Sequence, residues 1–417
     1  MNVPFSTISK NVLSLGFSGV VSMLVSAATD IAIARHLGVE RFGQYSTALA
    51  FSTVFIVLSD FGMTFNLVRV GSRDPAALDV TLGNTLAAKT VLAVAAYALM
   101  IAIALWAGYP PATREMIFIL GIATLLFNLH PTFSGVFEVH QRMELSAFCR
   151  TLSFVLIALA SLPGLLLGAG MTYFAAANLA ATAAATVVWY RMSSRYARPV
   201  LDVGRIGPMF RESIPFGLGG IFYMSYFRMD TVILSLFRSE REVGIYSAAY
   251  KLFEIVVKVA ATVSTAVLPV MYRHSVADLG KLRTLYHRLV AISAALAVGG
   301  AVVIYALAPV VLQVLYGDRF ADSTIVLQVL AFAILFRLIG ASPGDVLFSV
   351  DRVAWKTAAQ GATGLATIAA DVVLISLYGT VGAALATVLS EFLLFALCAA
   401  LASVALSRAR NASASSP

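Results

Sequence analysis

Phe42-Gly43-Gln44-Tyr45-Ser46-Thr47-Ala48 and Val243-Gly244-Ile245-Tyr246-Ser247-Ala248-Ala249 share Gly, Tyr, Ser and Ala at matching positions, about 200 residues apart. Upstream, Asp30 answers Asp230 and Gly19 answers Gly219, after one residue of slippage between the copies. Downstream, the short uncharged turns Gly168-Ala169-Gly170 and Tyr378-Gly379-Thr380 keep the same order. Both copies lie within almost continuous hydrophobic sequence. Duplicated membrane halves commonly build transporters, with the substrate site at the interface between them.

Of the 417 residues, 60% are hydrophobic and 12% charged, and the mean hydropathy is +0.89. Those values exclude an ordinary soluble domain. Apolar stretches long enough to cross a bilayer recur along the chain. They fall near 12–34, 44–68, 84–107, 115–137, 147–168, 171–190, 213–237, 244–270, 285–308, 322–342, 354–377 and 381–405. The pattern predicts an all-α membrane protein of 12 transmembrane helices. The charged linker Arg191–Arg211 divides it into two pseudo-symmetric six-helix lobes, 1–200 and 201–417, around a central cavity. Six is even, so the lobes enter and leave the membrane in the same sense, as parallel repeats do.

The net charge of +8 reports topology rather than a nucleic-acid partner. With the N-terminus placed in the cytoplasm, 18 Lys and Arg fall at cytoplasmic span ends and six at the opposite ends. That bias is the positive-inside signature and puts both termini in the cytoplasm. The N-terminus lacks the features of a removable signal peptide, so the first helix is expected to stay. Cys149 and Cys398 read as buried hydrophobes rather than a disulfide or metal pair.

Span eight carries the strongest site candidate. At about 100° per residue, Ser247, Lys251, Glu254, Lys258, Thr262 and Thr265 share an arc of about 80°. Three charges on one lipid-facing stripe would cost about 7–10 kcal/mol even on the lenient insertion scale, so the stripe must face water or charged partners. One reading is a self-neutralising Lys251–Glu254–Lys258 clamp between helices. The other is an anion site with one lysine left over after Glu254 pairs, suited to phosphate or pyrophosphate.

Span two repeats the stripe in milder form through Ser46, Thr53, Asp60 and Thr64, where helix packing by the hydroxyls is an equal reading. Spans one and seven place Ser22, Ser26 and Asp30, and Tyr223, Tyr226 and Asp230, at helical spacing. An intramembrane carboxylate can carry a proton or bind a cation, which makes Asp30, Asp60 and Asp230 the ion-coupling candidates. Each can equally be a structural pair or cap. Arg228 and Arg337 are further substrate-contact candidates, the latter with Asp371 and Glu391 as alternative carboxylate partners. Span eleven adds a polar strip of Lys356, Gln360, Thr363, Thr367 and Asp371. Neither a phosphate-binding Gly-rich loop nor a metal-spaced His/Cys set occurs, so no enzyme, metal or cofactor is expected.

The run Ala34-Arg35-His36-Leu37-Gly38-Val39-Glu40-Arg41-Phe42-Gly43-Gln44-Tyr45 resembles the signature joining the first two spans of polysaccharide flippases. These belong to the multidrug/oligosaccharidyl-lipid/polysaccharide exporter superfamily. Arg228-Met229-Asp230, Leu268-Pro269-Val270, Tyr316-Gly317-Asp318-Arg319-Phe320 and Tyr378-Gly379-Thr380-Val381-Gly382-Ala383 extend the resemblance over nearly the whole chain. It implies two six-helix lobes around a V-shaped cavity, and transport of undecaprenyl-pyrophosphate-linked oligosaccharide between leaflets of the bacterial inner membrane. Lys251 and Lys258 would hold the pyrophosphate, beside Glu254, with Arg228 and Arg337 secondary. The implied partners are the lipid-linked oligosaccharide, membrane lipids and other polysaccharide-assembly proteins, with no nucleic acid. A cation-coupled multidrug exporter and a membrane-embedded polysaccharide polymerase or ligase are the alternatives.

Overall fold

The computed structural model describes residues 5–227, 229–277 and 279–414. All regular structure among them is helical. The helices are α1 (Phe5–Leu37), α2 (Val39–Asp60), α3 (Met63–Arg73), α4 (Leu78–Trp106), α5 (Pro111–Phe127), α6 (His130–Val139), α7 (Met143–Leu167) and α8 (Met171–Ser193). After the linker come α9 (Val203–Phe227), α10 (Met229–Phe237), α11 (Glu240–Ala277), α12 (Leu279–Tyr316), α13 (Ser323–Ser349) and α14 (Val353–Ala414).

Burial is inverted relative to a water-soluble protein. Phe17, Trp106, Leu166 and Leu167 are at least 75% exposed, whereas Lys89 and Asp371 are fully buried. Apolar side chains outside and charges inside are what a lipid solvent selects. Among the described residues, nine helical stretches are long and apolar enough to cross a membrane. One of them, Val353–Ser407, runs for 55 residues. A straight helix of that length would reach about 80 Å, against an apolar layer of about 30 Å. It breaks at Gly379, whose φ of 58° and ψ of −130° no helix contains and no β-carbon tolerates well.

Two stretches predicted as single spans are also broken. The 44–68 stretch ends its first helix at Asp60, because Phe61 and Gly62 both take positive φ (44° and 78°) before α3 begins. The 115–137 stretch is interrupted at Asn128 and Leu129, and α6 restarts with Pro131 in its first turn. A proline there lacks the N–H that a continuous helix would need.

The chain forms two compact units, Met1–Met224 and Ser225–Pro417. The sequence places the division at 200/201, in the linker; the units divide inside α9, the first helix of the second repeat. In the first unit α1 packs on α7, α2 on α4 and α5, and α5 on α8. The start of α9 completes this packing. Met209 lies against Met63 and Ala88, Phe210 stacks on Phe61 at 5.3 Å, and Glu212 pairs with Arg69 at 2.5 Å. In the second unit α11 and α12 pack on α13, and α13 and α10 on α14.

The duplication is visible in how each unit closes its turns. In the first, His36 at the end of α1 donates Nε2–H to the carbonyl of Ala169, just beyond α7, at 2.8 Å. In the second, Arg238 between α10 and α11 donates to the carbonyls of Ile375 (3.0 and 2.9 Å) and Ser376 (2.8 Å). Those carbonyls precede the Gly379 break. A cationic or imidazole side chain thus satisfies helix-end carbonyls that the backbone itself leaves unpaired.

Candidate functional site

The second unit gathers a buried polar cluster from α10, α11 and α14. Asp230, in the first turn of α10, accepts hydrogen bonds at Oδ1 from the Thr231 amide (2.6 Å) and hydroxyl (3.2 Å). Its Oδ2 accepts the hydroxyl of Tyr246, which also lies 3.3 Å from Thr387 Oγ1. Asp371, on the first limb of α14, is 0% exposed, and neither of its oxygens has a hydrogen-bond partner among the described residues. It lies within electrostatic reach of Asp230. Burying a carboxylate without a partner is costly, so a site of this kind calls for a proton or a cation.

Next to these groups is a cavity of about 10 Å³, lined by Asp230, Tyr250, Phe253, Thr367, Thr387, Ser390 and Glu391. That is room for about one water-sized particle. Its lining offers only oxygen ligands, and Thr367 and Ser390 already share a 2.7 Å hydrogen bond. Carboxylate and hydroxyl oxygens suit hard cations rather than transition metals. At its rim Glu391 receives Arg337 Nη1 at 3.5 Å. Of the two partners the sequence offered Arg337, the structure selects Glu391.

The first unit repeats part of this arrangement. Asp30 is half-buried, and Tyr45, the counterpart of Tyr246, is 2% exposed, within electrostatic reach of Asp30 and in contact with the Asn178 side chain. In each unit a tyrosine at the matching repeat position thus lies within electrostatic reach of an aspartate, and in the second it is hydrogen-bonded to it.

Asp60 has a different environment. Lys89 Nζ reaches Asp60 Oδ1 at 2.7 Å and is itself fully buried. The same ammonium contacts the carbonyl of Asn128 (2.7 Å) and the hydroxyls of Thr132 (2.9 Å) and Thr64 (3.1 Å). Asp60 and Thr64 flank the break after α2, and Asn128 and Thr132 flank the break after α5. Asn128 Nδ2 also reaches Ser59 Oγ at 2.5 Å. One lysine thus joins two interrupted helices, satisfying one carbonyl at the second break and side-chain oxygens at both.

On α11, Glu254 is buried, Lys251 half-buried and Lys258 exposed. Arg228 lies outside the described residues, as do the side chains of Tyr223, Tyr226, Thr262 and Thr265. Among the milder stripe on α2, the hydroxyl of Thr53 bonds back to Leu49 O at 2.6 Å, the helix-internal use that hydroxyls commonly find. His130 is buried, bonded to Thr186 at 2.9 Å and stacked on Trp189. Sequence reasoning gave no role to Lys89 and ranked Asp371 within a weak strip. The repeat offset itself was the signal that paired Asp30 with Asp230; the nearby tyrosines were not part of it.

Solved structures that share this fold are membrane transporters. The lipid II flippase MurJ in an inward closed conformation superposes with a TM-score of 0.76 at 13% identity, over 92% of this chain and 86% of that one. An inward-facing multidrug resistance MATE transporter of the MOP superfamily gives 0.75 at 13% identity, over 95% and 96%. A MOP superfamily transporter from Pyrococcus furiosus, described as having a binding pocket of reverse polarity, gives 0.66 at 14%, over 96% of each chain. At these identities the likeness shows the fold. The probable flippase AglR of Haloferax volcanii is 29% identical over 171 residues, which are 40% of this chain and 36% of AglR. The chain thus matches little more than a third of that relative's length. The polysaccharide biosynthesis protein family matches residues 8–275, and the chain belongs to it.

Proposed function

We propose that the protein is a flippase that carries undecaprenyl-pyrophosphate-linked oligosaccharide units from the cytoplasmic to the outer leaflet by alternating access. It is a transporter rather than an enzyme on this reading. It sits in the bacterial inner membrane with both termini cytoplasmic, and it works beside other polysaccharide-assembly proteins. The observation that carries the reading is the charged stripe Lys251–Glu254–Lys258 on α11, in a chain of the polysaccharide biosynthesis family. Two lysines against one glutamate favour an anionic cargo, and an ammonium is a point-charge phosphate binder. Arg337 acts on this reading through Glu391, and Arg228 is a secondary contact.

Asp230 with Asp371 is the proposed ion-coupling site, and Asp30 with Tyr45 its counterpart in the first unit. A cation or proton that enters the oxygen-lined cavity neutralises a buried carboxylate. The bound and empty states then differ in stability, which is the differential interaction that coupling requires. Asp60 is a weaker candidate for that role because Lys89 already neutralises it.

The decisive experiment measures leaflet translocation of a labelled polyprenyl-pyrophosphate oligosaccharide in reconstituted vesicles, for wild type and for Lys251→Ala/Lys258→Ala. Loss of flipping in a folded double variant supports the anion-binding role. Unchanged flipping demotes the stripe to a structural clamp. A second reading, a cation-coupled multidrug exporter, is favoured by the carboxylate cluster itself and by the MATE fold. It would show as efflux of cationic drugs without lipid flipping.

A further inference from the structure

The linker between the two repeats is a built element rather than a loose tether. From Arg198 to Asp202 the chain forms no helix, and the amides of Arg198, Val200 and Asp202 all point to the start of α4. They donate to Asp79 Oδ1 (2.9 Å), Asp79 O (3.0 Å) and Asn84 Oδ1 (2.9 Å). Alternate amides of an extended chain point the same way, so the strap docks as a strand would dock on an edge. Gly83 makes the approach possible, because a β-carbon there would collide with the Val200 carbonyl group.

What this pinned strap presents is unusual for a surface segment. Val200, Leu201 and Val203 are 48, 59 and 70% exposed. Around them Arg191, Arg195, Arg198, Arg205 and Arg211 are all exposed. The nearby acids are largely committed, Asp202 to Arg205 at 3.1 Å and Glu212 to Arg69 at 2.5 Å. The strap leaves α8 just past Ser193 and lies across the first turns of α4. Both are membrane-crossing helices, so it runs where their ends reach the membrane surface.

We propose that residues 191–211 form an interfacial anchor that binds anionic phospholipid. Val200, Leu201 and Val203 enter the headgroup–acyl boundary while the arginines contact the lipid phosphates. The three backbone hydrogen bonds to α4 set the geometry in advance, so little ordering is required when lipid binds. Apolar residues flanked by clustered arginine are the recognition chemistry of an anionic membrane surface. Such a contact makes the conformation of the strap, and through α4 and α9 that of the first unit, sensitive to headgroup charge.

The test uses the full-length protein with Leu201→Cys carrying an environment-sensitive fluorophore. The two native cysteines, Cys149 and Cys398, are buried, which directs labelling to position 201. The protein is reconstituted in phosphatidylcholine vesicles with and without phosphatidylglycerol, each containing a trace of quencher-bearing lipid of either headgroup. The expected result is a blue-shifted probe, quenched several-fold more by phosphatidylglycerol than by phosphatidylcholine quencher. Arg195→Gln, Arg198→Gln and Arg205→Gln should each lower that preference by about fivefold at most, as expected for one surface arginine. Raising the salt concentration should lower it in the unmutated strap as well. Equal quenching by the two lipids, or a probe that stays in water, overturns the proposal. Release of the probe by inorganic pyrophosphate at constant ionic strength also overturns it, by assigning the arginines to a free anion.

Discussion

Tyr246 donates its hydroxyl to Asp230 across the turn from α11 to α10, while Asp371 beside them has no hydrogen-bond partner among the described residues. Tyrosine fixes one carboxylate of the pair and leaves the other for an occupant. Asp371→Asn keeps the shape and removes the charge. We expect this variant to be as thermally stable as wild type or more so, since an unpartnered buried charge is costly. Ion-driven flipping in vesicles should meanwhile fall by at least about tenfold, the loss of roughly 1.4 kcal/mol of coupling. A lowered melting temperature with coupling intact would make Asp371 structural instead.

Lys89 tests the two helix breaks. Lys89→Met removes one partner of a buried ion pair and should destabilise the protein by about 3 kcal/mol, the low end for such a loss because Asp60 is only partly buried. Lys89→Met/Asp60→Leu should recover a good part of that. Thermal unfolding of the purified protein in detergent would compare them. Equal stability of the single and double variants would mean that the carbonyl and threonine contacts matter more than the charge.

The two turn closures predict an asymmetry between the repeats. Arg238 satisfies two carbonyls through three short contacts and His36 satisfies one. Arg238→Ala should therefore cost about 2 kcal/mol, as a charged hydrogen bond does, and His36→Ala about 1 kcal/mol. Arg238→Lys should recover part of the loss, because an ammonium cannot reproduce the planar fork. The same unfolding assay checks the order.

Glu391 is buried, and Arg337 Nη1 reaches it at 3.5 Å. Arg337→Ala should destabilise the protein, and adding Glu391→Gln should recover part of the loss, since it removes the buried charge that Arg337 met. If Arg337 instead contacts the cargo, flipping will fall in both variants by the same factor.

The sequence repeat carried further than its few identities suggest. Tyr45 and Tyr246 were legible as matched positions, as were Asp30 and Asp230; that tyrosine and aspartate come near one another in each unit was not. Although 213–237 and 244–270 are not among the nine stretches found in the described residues, most span positions were legible because lipid selects long apolar runs. The breaks at Phe61–Gly62 and Asn128–Leu129 were not, since hydropathy continues through them while the backbone does not. They depend on positive φ, a proline and one lysine donated from another helix. Asp371 was visible as a polar position, but its want of a hydrogen bond is a property of its neighbours. The unit boundary was hidden for a similar reason: covalent order assigns α9 to the second repeat, and the packing of the backbone assigns most of it to the first.

That last feature bears on how the protein is made. Met209, Phe210 and Glu212 cover Met63, Phe61 and Arg69, yet they are translated after α8, the last helix of the first repeat. The first unit therefore cannot finish folding when its own repeat has left the ribosome. It waits for the opening helix of the next one. A gene split at codon 200 should yield an amino-terminal fragment with a bare patch around Met63 and Ala88, prone to degradation. A split after codon 224 should yield a fragment that persists in the membrane.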